Sequence, residues 1–250
     1  MRPIDEHAAV LFDLDGVLTP TAEVHRRAWT RTFDRVLAAL GRPDRFALED
    51  YLQYVDGKPR YAGVHSFLRS RDIELPAGDP TDPPSLESEA GIGNLKNVEF
   101  NAVLHEEGVD PYPGSAALLD HLEEAGVAVA VVSSSANARG VLRAAGLEPR
   151  FPVVVDGLVA AQRDLPGKPA PDTFLAAAAE LGVAPSETVV VEDALSGVQA
   201  GVAGGFALVV GVDREGQAEA LRAAGAHLVV GDLGELLPDA AGRSTGPDSP

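Results

Sequence analysis

Apolar positions along this chain fall into two rhythms. Ala8 to Phe12 is an unbroken apolar run with the length of a strand buried on both faces. From Thr21 to Leu40 the rhythm becomes helical: Trp29, Phe33, Val36, Leu37 and Leu40 lie close to one face, and Gly41 followed by Pro43 marks the stop. Helices are also predicted over 48–55, 60–70 and 87–107, the first two separated by the breaker Asp56-Gly57-Lys58-Pro59. Residues 71–85 are proline-rich, too long and polar for an ordinary connection. No strand pair is predicted between 21 and 109, which marks that stretch as an inserted helical module.

From Pro113 onward helix and strand alternate. Helices are predicted over 114–125, 136–145, 171–181, 195–203 and 215–224, and strands over 127–132, 152–155, 188–191, 206–210 and 227–230. Short valine-rich strands between helices predict an α/β fold, a doubly wound parallel sheet with helices on both faces. The expected organisation is a core of residues 1–20 and 110–237, a helical module over 21–109, and a disordered tail over 238–250, where residues are small, polar and rich in Pro, Gly and Ser.

Composition narrows the functional classes. At 250 residues and 45% hydrophobic content the chain can build a sizeable core. Lys and Arg number 20 against 38 Asp and Glu, a net charge of −18, which argues against nucleic acid or an anionic membrane surface as partner. An anionic substrate must then be held by a few placed basic groups or by a divalent cation. The absence of cysteine removes disulfides, thiolate metal sites and cysteine nucleophiles. No apolar run approaches the roughly 18 residues needed to cross a bilayer, and the first residues carry no signal-peptide pattern. A soluble, cytoplasmic monomer acting on a small molecule is expected.

In parallel α/β sheets ligands gather beyond the carboxyl ends of the strands. The first strand delivers Asp13 and Asp15 there, with Gly16 turning the backbone. The strand at 127–132 delivers Ser133, Ser134 and Ser135, that at 188–191 delivers Glu192 and Asp193, and Lys168 precedes the helix at 171–181. Taken singly, each has an ordinary explanation: a turn, a helix cap, an acidic helix start, a solvated lysine. Together they put four carboxylates on one rim. A like-charge pair at ~4 Å costs about 4 kcal/mol at an effective dielectric near 20. A hard divalent cation relieves that cost, and an oxygen-only donor set points to Mg²⁺. Phosphate is the natural second guest, with serine hydroxyls donating to its oxygens and Lys168 offsetting its charge. An aspartate facing that phosphate can attack phosphorus while a second moves protons.

These residues resemble the haloacid dehalogenase-like phosphotransferase superfamily, and within it the β-phosphoglucomutase-like branch. The motifs occur in order: Asp13-Leu14-Asp15-Gly16-Val17, Ser133 after an apolar strand, Lys168-Pro169-Ala170-Pro171-Asp172, and Glu192-Asp193 before Ser196-Gly197. The resemblance implies that Asp13 is the nucleophile and Asp15 the general acid/base. It implies Mg²⁺ held by Asp13, the Asp15 carbonyl and Asp193, with Glu192 nearby, and a phosphoryl group bound by Ser133 and Lys168. The helical module becomes a cap over the substrate, to which His25, Trp29, Gly57, Arg60 and Lys96 belong. His25 and Lys96 would couple its closure to the acid/base, and Arg60 would bind a distal phosphate. Two departures stand out: Pro20 in place of an acidic residue beside the hinge, and Ala136 in place of a basic one. The implied activity is interconversion of β-glucose 1-phosphate and glucose 6-phosphate, with a sugar bisphosphate as intermediate and activator. The alternatives are a phosphatase acting on a small sugar or polyol phosphate, or a catalytically silent phosphosugar-binding module.

Overall fold

The structure, a computed structural model, describes residues 2–238. Its centre is a six-stranded, wholly parallel sheet in the order β3-β2-β1-β4-β5-β6. The strands are β1 Ala9–Phe12, β2 Ala128–Val132, β3 Val153–Val155, β4 Thr188–Glu192, β5 Leu208–Val212 and β6 Leu228–Val230. Every residue of β1, β4 and β5 is buried, as valine-rich strands covered on both faces require. β1 lies in the middle: Ala9 pairs with Ala128 on one side and with Thr188 on the other. The chain order reverses across it, so the carboxyl end of β1 opens on the crevice where such sheets bind ligands.

The helices are α1 Thr21–Ala39, α2 Leu48–Asp50, α3 Arg60–Ser70, α4 Glu89–Glu107, α5 Pro113–Glu124, α6 Ala138–Ala144, α7 Gly157–Gln162, α8 Asp172–Leu181, α9 Leu195–Ala203 and α10 Ala218–Ala223. One sheet face packs Val10, Phe12 and Val131 against Leu118, Leu122, Val141 and Leu142 of α5 and α6. The other packs Leu11, Ala130 and Val190 against Phe174, Ala177 and Val198 of α8 and α9. Among the described residues no strand lies between β1 and α5. The helices there enclose an apolar cluster of their own, in which the Phe33 ring lies 4.2 Å from Phe67 and 5.0 Å from Trp29.

The structure differs from the sequence-based expectation in ways that local chemistry explains. α6 starts at Ala138, two residues late, because Ser133 Oγ takes the Ser135 N–H and Ser135 Oγ takes the Asn137 N–H in tight side-chain turns. α4 starts at Glu89, where Ser88 Oγ caps the Gly91 N–H. β5 begins at Leu208 and runs on to Val212, following its parallel partners on both sides. Helix α7 was not expected from the sequence. It is six residues long, and Asp156, which accepts from the N–H groups of Leu158 and Val159, provides its start. The segment after α2 winds as a π-helical turn, Tyr51–Val55, closed by Asp56 N–H donating to the Tyr51 carbonyl at 2.8 Å. Such turns concentrate at functional sites. The expected tail, beyond Pro238, lies outside the described residues. Among the described residues no helix is long and apolar enough to cross a membrane.

Candidate active site

Beyond the end of β1 the backbone folds back on itself, with Gly16 N–H donating to the Thr19 carbonyl at 2.8 Å. Gly16 has φ +84, and a Cβ there would stand 1.8 Å from an Asp193 carboxylate oxygen, so only glycine fits. This turn sets Asp13 and Asp15 in different surroundings. Asp13 is 7% exposed and bonded to Lys168, whose Nζ also reaches Glu192; both distances are 2.5 Å. The Val132 carbonyl takes a third donor bond from the same ammonium at 3.0 Å. Glu192 is fully buried, accepts from the Ala194 N–H at 2.9 Å and lies over Gly197, where a Cβ would collide with its carboxylate. That close approach explains the glycine at 197.

Burial pushes the Asp13 carboxyl well above the usual range, and the Lys168 charge opposes the shift. Burial alone would lower Lys168, but Asp13 and Glu192 raise it above its ordinary value, so it stays charged. Burial also tends to raise Asp15. There, His25, the Thr21 hydroxyl and Lys96 overcome it and hold the carboxyl down at about 2. Thr21 Oγ1 donates to Asp15 in a short hydrogen bond, and His25 Nε2 lies 3.5 Å from the same oxygen. His25 Nδ1 meets Lys96 Nζ in turn, and its ring stacks on Phe100 with centroids 4.1 Å apart. Burial lowers His25, with the Lys96 charge adding to the effect, while burial and then Arg60 lower Lys96 to about 7. Both shifts disfavour carrying a positive charge on His25 and on Lys96 at once beside Asp15.

Lys96 is 3% exposed, and the shift has a consequence for stability. From about pH 7 up to 10.5 the unfolded chain holds a proton that the folded chain has released, so stability rises with pH across that window. Lys96→Met should remove this slope. Urea unfolding should find the variant more stable than wild type near pH 7, with the advantage shrinking toward pH 10.

One cavity gathers most residues expected from the sequence: Asp13, Asp15, His25, Trp29, Gly57, Arg60, Lys96, Ser133, Ser134 and Asp193 line it. Glu192 and Lys168 lie behind its wall. Ser133 Oγ is 3.5 Å from Asp15. Ser134 has its hydroxyl turned to the Gly57 carbonyl at 2.8 Å, joining the sheet to the helical module. Trp29 both packs on Phe33 and lies under Lys96 Nζ, 5.1 Å from its ring. Arg60 donates to Asn97 Oδ1 at 2.7 Å, and so does Asn137 at 2.6 Å. Ala136 adds no charge to this wall.

Sequence reasoning missed Tyr51, Asp56 and Asn137, all of which line the cavity. Asp56 registers in the sequence only as part of a helix breaker. Burial raises Asp56 to about 7, against the Tyr51 hydroxyl that bonds it. Arg214 was also missed. Its Nε donates to the Gly16 carbonyl at 2.8 Å and its guanidinium lies 3.8 Å over the Tyr112 ring, bracing the β1 turn.

Carboxylate oxygens of Asp13, Glu192 and Asp193 lie within 4.8 Å of one another. Asp193 is 9% exposed, and among the described residues its carboxyl has no hydrogen-bond donor or ion-pair partner. Burial raises it well above the usual range, and of the charges around it Asp56 adds most. A buried, unpaired, oxygen-only group of this kind fits a hard divalent cation.

A parallel α/β sheet with a buried lysine, serine hydroxyls and an acidic cluster able to hold a cation at its strand ends has the arrangement of an enzyme that handles a phosphoryl group. The model of the haloacid dehalogenase-like hydrolase family matches residues 7–205. The chain is 50% identical over 238 residues to β-phosphoglucomutase of Mycobacterium bovis, covering 92% of this chain and 91% of that protein. It is 35% identical over 198 residues to hexitol phosphatase A of Escherichia coli, covering 78% of each. A crystal structure of a mutant of the protein CbbY from Rhodobacter sphaeroides, in complex with xylulose 1,5-bisphosphate, superposes with a TM-score of 0.70 at 28% identity, over 92% of this chain and 96% of that one. This chain belongs to the haloacid dehalogenase-like hydrolase family, and it is a phosphomutase or phosphatase of that family.

Proposed function

We propose that the protein is a Mg²⁺-dependent sugar-phosphate mutase that converts β-glucose 1-phosphate into glucose 6-phosphate through an aspartyl phosphate on Asp13. The observation that carries this reading is that His25 of the helical module reaches Asp15, its Nε2 3.5 Å from the carboxylate, and is bonded through Nδ1 to Lys96 of the same module. The proton-transfer group is engaged by the element that would cover the substrate, as a transfer between two sugar hydroxyls with water excluded requires. The identity to the mycobacterial mutase supports the same choice. In this reading residues 21–109 are a cap over a core of 1–20 and 110–237.

Asp13 attacks phosphorus of a phosphate ester or bisphosphate, and the ester oxygen leaves with a proton that Asp15, ionised in the free protein, takes up from solvent as substrate fills the cavity. In the second half a sugar hydroxyl attacks the aspartyl phosphate, its proton passes to Asp15, and the Asp13 carboxylate departs. Lys168 holds Asp13 in place and offsets phosphoryl charge, while Ser133 donates to a phosphoryl oxygen. Arg60, with Asn97 and Asn137, faces the far end of the cavity, where a second phosphate belongs. Mg²⁺ bound by Asp13 and Asp193, with Glu192 behind them, would neutralise charge on the transferring group.

A second reading, a phosphatase for a small sugar or polyol phosphate, draws on the E. coli relative and on the uncharged Ala136 in the cavity wall. The two separate in one experiment. Purified protein with Mg²⁺, β-glucose 1-phosphate and a catalytic amount of glucose 1,6-bisphosphate should form glucose 6-phosphate, read by a coupled dehydrogenase, with little phosphate released. Ready phosphate release without glucose 6-phosphate assigns the phosphatase instead.

A further inference from the structure

The loop 56–58 of the helical module is pressed onto the segment that carries Asp193. The Asp56 carbonyl accepts from Ser196 Oγ at 3.2 Å, and the Gly57 carbonyl accepts from Ser134 Oγ at 2.8 Å. Gly57 has φ +68, and a Cβ there would stand 2.3 Å from Ser196 Oγ and 2.8 Å from the Ala194 side chain. The approach is therefore as close as a backbone allows. It carries a carboxylate with it: Asp56 lines the substrate cavity together with Asp193, and both also line a second cavity on the hinge side with Tyr51 and Gln217.

A charge in that position needs an explanation. Lys168 pairs with Asp13 and Glu192, and His25 and Lys96 of the module stand by Asp15, but among the described residues the Asp193 carboxyl has no counter-charge and the module brings another acid to its side. Asp56 has one fixed neighbour, the Tyr51 hydroxyl, and among the described residues it has no ion-pair partner. Its oxygens stand outside the group of Asp13, Glu192 and Asp193, whose ligand atoms lie within 4.8 Å of one another. With no cation between them, docking the loop brings Asp56 against Asp193 at a repulsive cost. With a divalent cation present, the same contact becomes attractive.

We propose that Asp56 faces the divalent cation from the helical module, through a bound water, and makes docking of the 56–58 loop depend on that cation. The inference rests on the reading that Asp13 and Asp193 hold the ion, and it adds a module-borne carboxylate to that site. Linkage is reciprocal: if the cation favours docking, the docked loop strengthens cation binding by the same factor.

The test uses Mg²⁺ alone, without substrate, at pH 8, by calorimetric titration and by thermal unfolding of wild type, Asp56→Asn and Asp193→Asn. Asp56→Asn, which keeps an acceptor for Tyr51, should weaken Mg²⁺ binding about tenfold. Metal-free Asp56→Asn should melt above metal-free wild type, and Mg²⁺ should raise its Tm by less. A Mg²⁺ affinity within about twofold of wild type overturns the proposal. So does a metal-free variant that melts lower than wild type, the result expected if Asp56 were only structural; Asp56→Ser repeats both readings without the amide. Asp193→Asn separates this failure from a larger one. If it binds Mg²⁺ as wild type does, the cation reading of the whole site falls, whereas loss of binding there with none in Asp56→Asn rejects Asp56 alone.

Discussion

Asp13→Asn should lower kcat by about 10⁴-fold or more, a loss of the size seen when an enzyme's nucleophile is removed. Asn has no carboxylate to form the acyl phosphate, and no neighbour replaces it. Asp15 is held at about 2 by His25, Thr21 and Lys96, and in the proposed reaction it serves proton transfer. Glu192 is fully buried behind Lys168. The measurement is steady-state turnover beside a trapping experiment with labelled substrate. Wild type should accumulate a hydroxylamine-sensitive phosphoryl label, and the variant none. The fold should survive, because the amide keeps the shape of the carboxyl and still accepts from Lys168. A variant that retains more than about a hundredth of the wild-type rate would place the covalent step on another residue.

Lys168→Met should cost about 3–5 kcal/mol of stability in metal-free protein, measured by urea unfolding at neutral pH. Its ammonium is the shared partner of Asp13 and Glu192, at 2.5 Å from each, and the aliphatic stem packs toward Phe174, whose ring lies 5.0 Å from Nζ. Methionine keeps the packing and removes the charge, so the loss reports the two carboxylates left unpaired and not a cavity. Turnover should fall as well, since the same ammonium positions Asp13. Adding Mg²⁺ should restore part of the stability, because a cation bound by Asp13 and Asp193 offsets the charge that Lys168 no longer supplies. A variant as stable as wild type without metal would mean that the carboxylates are already neutral.

The ordering of elements was legible because it depends on local pattern. Apolar runs at Ala9–Phe12 and Thr188–Glu192 are strands since nothing else of that length buries every side chain, and α3 occupies Arg60–Ser70 as its breaker and periodicity demand. The rim residues were legible for a related reason. In a parallel sheet all strands point one way, so residues that follow separate strands must converge. Asp13, Ser133, Lys168 and Asp193 could thus be placed together although they are far apart in sequence.

Contacts between the module and the sheet were less accessible. His25 and Lys96 could be singled out by resemblance, but their meeting beside Asp15 depends on α1 packing along α4, which periodicity does not specify. Ser134 looked like a phosphate donor, and in the folded chain its proton goes to the Gly57 carbonyl. Asp56 looked like part of a turn. Its significance comes from a π-helical closure and from the surface of Ala194 and Ser196 against which the loop rests.

By itself, then, the sequence determined the α/β alternation, the helical insertion after β1 and the set of side chains delivered to the strand ends. These follow from burial period and strand direction, which are properties of short segments. Tertiary structure alone decided that Glu192 stands behind Lys168, that His25 and Lys96 meet next to Asp15, and that Asp56 lines one cavity with Asp193. Each of these depends on distances of a few ångströms between segments that pack independently, and electrostatic energy at such distances varies too steeply for spacing along the chain to predict.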